Sequence, residues 1–141
     1  MARILLAVDG SPSSLNAVKF AVRSLQASAA EGEAHLLNVQ PPLPASAAGF
    51  VAADVVRGYH EEEGGRALDA AAALLEAAGC RFHRHIVIGN VAVSIVDCAK
   101  RWDCDQIIMG TRGHGTIEGL ILGSVSAKVL HLADIPVTLV K

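Results

Sequence analysis

The chain has 141 residues, a hydrophobic content of 52%, a mean hydropathy of +0.41 and a formal net charge of −2 at pH 7. That much apolar side chain in a chain of domain length can bury a substantial core and argues against intrinsic disorder. The slight negative charge offers no basic field to a phosphate backbone, and an aromatic content of 4% leaves few stacking platforms, so nucleic acid is not an expected partner.

No charged-then-apolar leader opens the chain, and the first apolar run, Ile4 to Val8, ends at once in Asp9. A membrane span needs about 20 apolar residues, so the expected location is cytoplasmic, with no membrane partner. Ile4 to Val8 reads as a strand, and Asp9-Gly10-Ser11-Pro12 as a turn entering a helix with proline at its first position. Leu15, Val18, Val22 and Leu25 continue at helical spacing, and Leu36 to Val39 follows as a second strand, completing a βαβ unit. Pro41 to Ala53, with Pro41, Pro42 and Pro44 among several alanines, has no usable period and is expected to be a flexible connection, a candidate lid.

From about Asp54 to Ala78 the pattern is helical, with Glu61, Glu62 and Glu63 early, Leu68, Leu74 and Leu75 later, and Gly79 as a stop. Gly64 and Gly65 interrupt its interior, each at a cost of roughly 1 kcal/mol relative to alanine. Phe82 to Ile88 reads as a third strand, Val91 to Trp102 as a helix capped by Asn90, and Gln106 to Met109 as a fourth strand. Val125 to Leu132 reads as a helix with Ser124 as its N-cap, and Pro136 to Val140 as a fifth strand. This alternation predicts a single α/β domain over 1–141, an open, doubly wound, five-stranded parallel sheet with helices on both faces, Rossmann-like. Cys80, Cys98 and Cys104 are odd in number and lack a C-x-x-C pair, so they are expected as free thiols, buried or half-buried. Cys80, His83 and His85 form a C-x2-H-x-H cluster whose histidines alternation places on one face; with no fourth ligand apparent, it reads as an exposed strand face rather than a metal site. His60-Glu61 opens like a zincin motif, but Gly64 stands where the second histidine belongs.

The chemistry concentrates in the run Gly110 to Ser124, GTRGHGTIEGLILGS, which lies between the fourth strand and the next helix. Spaced glycines at a strand end let backbone approach a ligand, and the N–H groups opening a helix add donors and the positive end of its dipole. The loop therefore suits an anion, with His114 close to it. It is not a P-loop, because Thr116 and Ile117 follow Gly115 where lysine is required, nor a dinucleotide fingerprint, because Glu118 replaces the third glycine. Open α/β sheets bind ligands beyond the carboxyl ends of their strands, and Asp9, Val39 and the Gly110 loop all sit at such ends. Asp9 can accept hydrogen bonds from ribose hydroxyls or hold a phosphate-bound metal, and the backbone near Val39 can pair with an adenine edge.

The spacing G-x2-G-x9-G-[ST], here Gly110, Gly113, Gly123 and Ser124, resembles the ATP-binding signature of the universal stress protein family. The segments ILLAVDGS, HLLNV, QIIMGTRG, LGSVSAKVL and IPVTLVK extend the resemblance over nearly the whole chain. It implies nucleotide contacts at Ala7, Asp9, Val39, Met109, Gly110, Arg112, Gly113, Gly123, Ser124, Val125 and Ser126, with the Arg112 guanidinium suited to bidentate phosphate binding. It also implies ATP as the ligand, with Mg²⁺ or Mn²⁺ bound mainly through the phosphates, and a nucleotide-dependent regulatory or stress-response switch, at most a slow ATPase. A homodimer through the last strand, Ile135 to Val140, is expected from the same resemblance. The alternatives are a dimeric interaction module indifferent to nucleotide and a binder of another adenine nucleotide such as cyclic AMP. There is no G-x-S-x-G elbow and no paired-carboxylate site, so no catalytic residue is assigned.

Overall fold

The structure, a computed structural model, describes residues 1–44, 49, 51–113 and 122–141. Its elements in chain order are β1 (Ala2–Ala7), α1 (Pro12–Ala27), β2 (Gly32–Gln40), α2 (Ala53–Ala77), β3 (Arg81–Ile88), α3 (Val91–Arg101), β4 (Gln106–Gly110), α4 (Ser124–Leu132) and β5 (Val137–Val140). The strands form one five-stranded sheet in the order β3-β2-β1-β4-β5, with every neighbouring pair parallel. The predicted Rossmann-like α/β architecture is therefore the one observed. Among the described residues, no helix is long and apolar enough to cross a membrane.

Strand alternation divides the core between the two faces of the sheet. Ile4, Leu6, Leu36 and Ile108 pack under Ala17, Val18 and Ala21 of α1 and under Leu68, Ala71 and Leu75 of α2. Leu5, Leu37, Val39, Ile107 and Met109 face the other way, under Ile95, Val96 and Ala99 of α3 and Val129 of α4. A parallel strand covered on both faces has no polar side to show, which is why β1 and β4 read as unbroken apolar runs. Full burial of each leucine or isoleucine in these strands contributes about 1.5–3 kcal/mol.

Local chemistry sets most boundaries where expected. The Ser11 hydroxyl accepts from the Ser14 N–H at 3.3 Å with Pro12 opening α1, and Asn90 Oδ1 accepts from the Val93 N–H at 3.1 Å at the start of α3. Gly79, at φ +69°, takes the left-handed conformation that ends α2. The start of α4 is a correction: Gly123 is the N-cap, without a side-chain cap bond, and Ser124 is the first helical residue. The Gly123 N–H donates to the Thr111 carbonyl at 2.7 Å, and this tie to the end of β4 holds Gly123 extended while its own carbonyl accepts the first helical bond from Ala127.

α2 runs unbroken through its three glycines, Gly58, Gly64 and Gly65, and the adjacent two sit in different surroundings. A Cβ on Gly64 would lie 2.8 Å from Ile86 Cγ2, so at Gly64 α2 sits directly against β3, whereas a Cβ on Gly65 would meet nothing within 4 Å. Within the Pro41 to Ala53 connection, residues 45–48 and 50 lie outside the described residues, and the lid expectation falls in part on them. Cys98 and Cys104 are buried and Cys80 half-buried, all three free, and burial pushes the Cys104 thiol up to about 11. The histidine-bearing strand needs a second correction. His83 is exposed, but His85 is half-buried and its ring lies 3.9 Å from that of Trp102, so this is a covered aromatic cluster and not a bare strand face.

Candidate functional site

From β1 the chain steps outward to β2 and β3 on one side and to β4 and β5 on the other, so the carboxyl ends of β1 and β4 part and leave a crevice. A cavity of about 630 Å³ occupies it, a size that suits a small-molecule ligand. Ala7, Leu37, Val39, Val91, Ile95 and Met109 form an apolar slot on the α3 side. Asp9, Gly110, Arg112 and Gly113 lie along the crest, with Gly123, Ser124, Val125 and Ser126 at the start of α4. Asn38, Gln40, Ser14, Glu63 and Arg66 close the side toward α1 and α2. Every residue expected at the site lines this one cavity; His114 lies outside the described residues.

The end of β2 offers a donor and an acceptor. In a parallel ladder a residue's N–H and C=O point to the same side and successive residues alternate. The Leu37 carbonyl accepts from Val8 and the Gln40 carbonyl from Gly89, so odd-numbered residues of β2 address β1 and Val39 points its peptide groups the same way. The β1 ladder ends at the Ala7–Leu37 pair, and the Val8 carbonyl is taken by Asn38 Nδ2 at 2.8 Å. The Val39 N–H and C=O thus open on the crevice beside the apolar slot.

Asp9 is held in place by its own turn. Its Oδ1 accepts from the Ser11 N–H at 2.9 Å, while Gly10, at φ +83°, lets the chain reverse into α1. A side chain at Gly113 would run into Asp9 Oδ2, and a Cβ on Gly110 would come within 2.8 Å of the backbone of Ser13 and Ser14. These two glycines therefore make room for the protein itself: the loop after β4 seats against the Asp9 carboxylate and the first turn of α1. The Ser11 and Ser13 hydroxyls reinforce that seat by donating to the Arg112 carbonyl.

The start of α4 supplies the donors. Its first intrahelical bond is made by the Ala127 N–H, so the N–H groups of Ser124, Val125 and Ser126 belong to the orphan donors of a helix N-terminus, where the dipole favours an anion. The Ser126 hydroxyl is buried and donates to the Gly110 carbonyl at 2.8 Å, fixing the helix start against the end of β4. With Ser124 at the first helical position and not at the cap, its exposed hydroxyl is not used to close the helix.

Asn38, Gln40, Glu63 and Arg66 are polar lining residues that were not among those expected at the site. Asn38 is buried, 4% exposed, and its Oδ1 accepts from Gln40 Nε2 at 2.7 Å, forming a polar chain that ends on the Val8 carbonyl beside Asp9. A lone asparagine inside the apolar run Leu36 to Val39 was a signal available in the sequence. Glu63 and Arg66 line the cavity from α2 while paired with each other at 3.2 Å; nothing in that glutamate-rich stretch told which face would meet the crevice. Among the described residues, no group of three histidine, cysteine or acidic side chains converges on a metal position.

The model of the universal stress protein family matches residues 1–141. Universal stress protein MJ0531 of Methanocaldococcus jannaschii is 33% identical over 142 residues, covering 99% of this chain and 81% of that protein. Stress response protein NhaX of Bacillus subtilis is 28% identical over 161 residues, covering 99% and 97%. Among solved structures, hypothetical protein MJ0577 superposes with a TM-score of 0.85 at 27% identity, over 99% of this chain and 95% of that one. A universal stress protein solved in complex with cAMP superposes with a TM-score of 0.72 at 28% identity, over 99% and 97%. The chain belongs to the universal stress protein family.

Proposed function

We propose that the crevice binds an adenine nucleotide, ATP foremost, and that the protein works as a nucleotide-dependent regulatory switch in a stress response. The observation that carries this reading is the meeting, on one cavity, of an apolar slot with a free peptide edge, a turn-held carboxylate and a helix N-terminus. The slot and the Val39 peptide groups match a flat heterocycle with a donor–acceptor edge. Asp9 matches ribose hydroxyls, and the α4 donors with Arg112 match phosphates. A divalent ion fits only in part: Asp9 is the carboxylate on the crest, so Mg²⁺ or Mn²⁺ would take most of its ligands from phosphate oxygens and water and would supply charge neutralisation there.

The test is to identify any nucleotide released from denatured, freshly purified protein and then to titrate ATP by calorimetry with and without Mg²⁺. Binding that is lost in Gly123→Val, with the thermal transition retained, is the expected result. Absence of both nucleotide and heat would leave the crevice without this role and favour a nucleotide-independent dimeric module. A second ligand, cyclic AMP, is favoured by the relative at 28% identity that was solved with it. Competition between ATP and cyclic AMP in the same titration separates the two.

A further inference from the structure

The histidines of β2 and β3 take no part in the crevice. His35 and His83 are register partners and His85 lies opposite Leu37, so alternation sets all three on the α3 face of the sheet. Trp102, the C-cap of α3, lies nearly flat on two of them: its ring is 3.9 Å from His85 with 22° between planes, and 5.0 Å from His35 with 16°. His35 Nδ1 and His85 Nε2 are 3.0 Å apart, a hydrogen-bond distance. Glu33 closes the lower side, with Oε1 3.7 Å from His35 Nε2 and 3.3 Å from Arg3 Nε, and Oε2 3.4 Å from His83 Nε2.

The negative charge of Glu33 lies on the Nε2 side of His35 and favours the neutral tautomer with its proton there, which leaves Nδ1 as acceptor for the His85 Nε2–H. A first added proton enters at His85 Nδ1 while the bridging proton passes to His35 Nδ1, so that the charge rests on His35 beside Glu33 and the bond stays intact with its direction reversed. The next must go to His85 Nε2, which turns the acceptor into a donor and sets two cationic N–H groups head to head. The pair must then part, and the surface on which Trp102 lies parts with it.

We propose that the His35–His85 pair is a proton-operated latch on α3, closed at neutral pH and opened by acid, with Trp102 as its catch. Trp102 caps the carboxyl end of that helix, its backbone N–H donating to the Cys98 carbonyl at 3.0 Å, while Val91 and Ile95 near the other end wall the crevice. Opening the latch therefore loosens a wall of the crevice from the opposite end of the sheet.

The charged surroundings fix the direction. β1 contributes Arg3, β2 Glu33 and β3 His83; Asp105, at the entry to β4, accepts from the Arg3 backbone N–H. On the α3 side the Cys98 thiol and, after the helix, the Cys104 thiol are pushed up by burial and stay neutral, while Lys100 and Arg101 of the last turn are exposed. Burial lowers both imidazoles below the ordinary 6.5; at His35 the Glu33 charge opposes this and His83 and Arg3 reinforce it, and at His85 the charges of His35 and His83 reinforce it. A depressed imidazole binds its proton more readily in the unfolded chain, so the stabilisation is complete above pH 6.5 and is lost as pH falls through the lowered values.

The experiment is amide hydrogen exchange of residues 91–101 together with Trp102 emission, compared between about pH 7.5 and about pH 5. Trp102 is the single tryptophan, so the emission has one source. In the wild type, α3 protection relative to β4, corrected for intrinsic exchange, is expected to fall about tenfold or more, with an emission change over the same range. In His85→Gln, which keeps a hydrogen-bonding group but takes no proton, both readings are expected to stay constant. A wild type flat in both readings, or a His85→Gln protein that titrates as the wild type does, overturns the proposal. If His85→Gln fails to fold, His35→Gln takes its place: constant readings are expected, and titration like the wild type overturns the proposal.

Discussion

Two glycines of one signature serve different neighbours, and this sets how each responds to a methyl group. Behind Gly113 stands the rotatable end of Asp9, whereas behind Gly110 stands the backbone of Ser13 and Ser14 at 2.8 Å. Gly113→Ala is expected to cost about 0.5–1.5 kcal/mol, the worth of the Ser11–Asp9 hydrogen bond given up as the carboxylate turns. It should also weaken nucleotide binding about tenfold, a difference of about 1.4 kcal/mol, by turning the Asp9 carboxylate aside. Gly110→Ala is expected to destabilise the fold by about 1–3 kcal/mol, because backbone cannot swing away. Denaturant melts and calorimetry on the pair check this, and equal stability losses would show that the two glycines do the same work. The positions of these glycines were legible because their spacing is local. What stands behind them was not, since Asp9 and Ser13 arrive from the other end of the chain. The same distance hid Arg66, whose neighbours across the crevice are settled only when α2 packs on β2.

Among the elements, α2 shows where propensity and packing disagree. Arg84 Nη2 donates to Asp69 Oδ1 at 3.0 Å and to the Gly65 carbonyl at 3.3 Å, which together with the Gly64–Ile86 contact fixes the height of α2 on β3. A scale of helix propensities treats Gly64 and Gly65 alike, and the sequence pattern gives no reason to part them. The structure separates them. Gly65→Ala is expected to stabilise by about 0.5–1 kcal/mol, through a stiffer unfolded chain and a better helix former. Gly64→Ala is expected to destabilise by about 1–3 kcal/mol, because its methyl would press on Ile86 Cγ2, Cγ1 and Cδ1 at 2.8–3.0 Å and force strand and helix apart. Opposite signs in paired urea melts are the expected outcome; two stabilised variants would mean that Ile86 rotates away freely. The α4 boundary carries the same lesson, since serine is a good cap by type but the bond from Gly123 to Thr111 decides where the helix begins.

At the scale of the whole molecule, alternation of apolar runs with helical patterns was enough to foresee a parallel sheet covered on both faces. Strand order and hydrogen-bond parity were not written in it, and they decide how two copies would meet. β5 is an edge strand, and among the described residues no strand lies on its outer side. The Ile107 N–H donates to the Pro136 carbonyl and the Thr111 N–H to the Val140 carbonyl, each at 2.9 Å. By alternation Thr138 also addresses β4, while Val137 and Leu139 turn their N–H and C=O groups outward. We propose a twofold homodimer that joins β5 to its copy across this edge, in which Leu139 donates to the partner. Proline removes one N–H and so tests parity directly. Leu139→Pro is expected to give a folded monomer in analytical ultracentrifugation, whereas Leu139→Ala, which loses side-chain packing but keeps the N–H, is expected to remain a dimer. Thr138→Pro strikes the ladder to β4 and is expected to destabilise the fold by about 1–3 kcal/mol. A folded protein that still sediments as a dimer with Val137→Pro added to Leu139→Pro would place the contact on another surface, because both outward donors of β5 are then gone while the ladder to β4 is untouched.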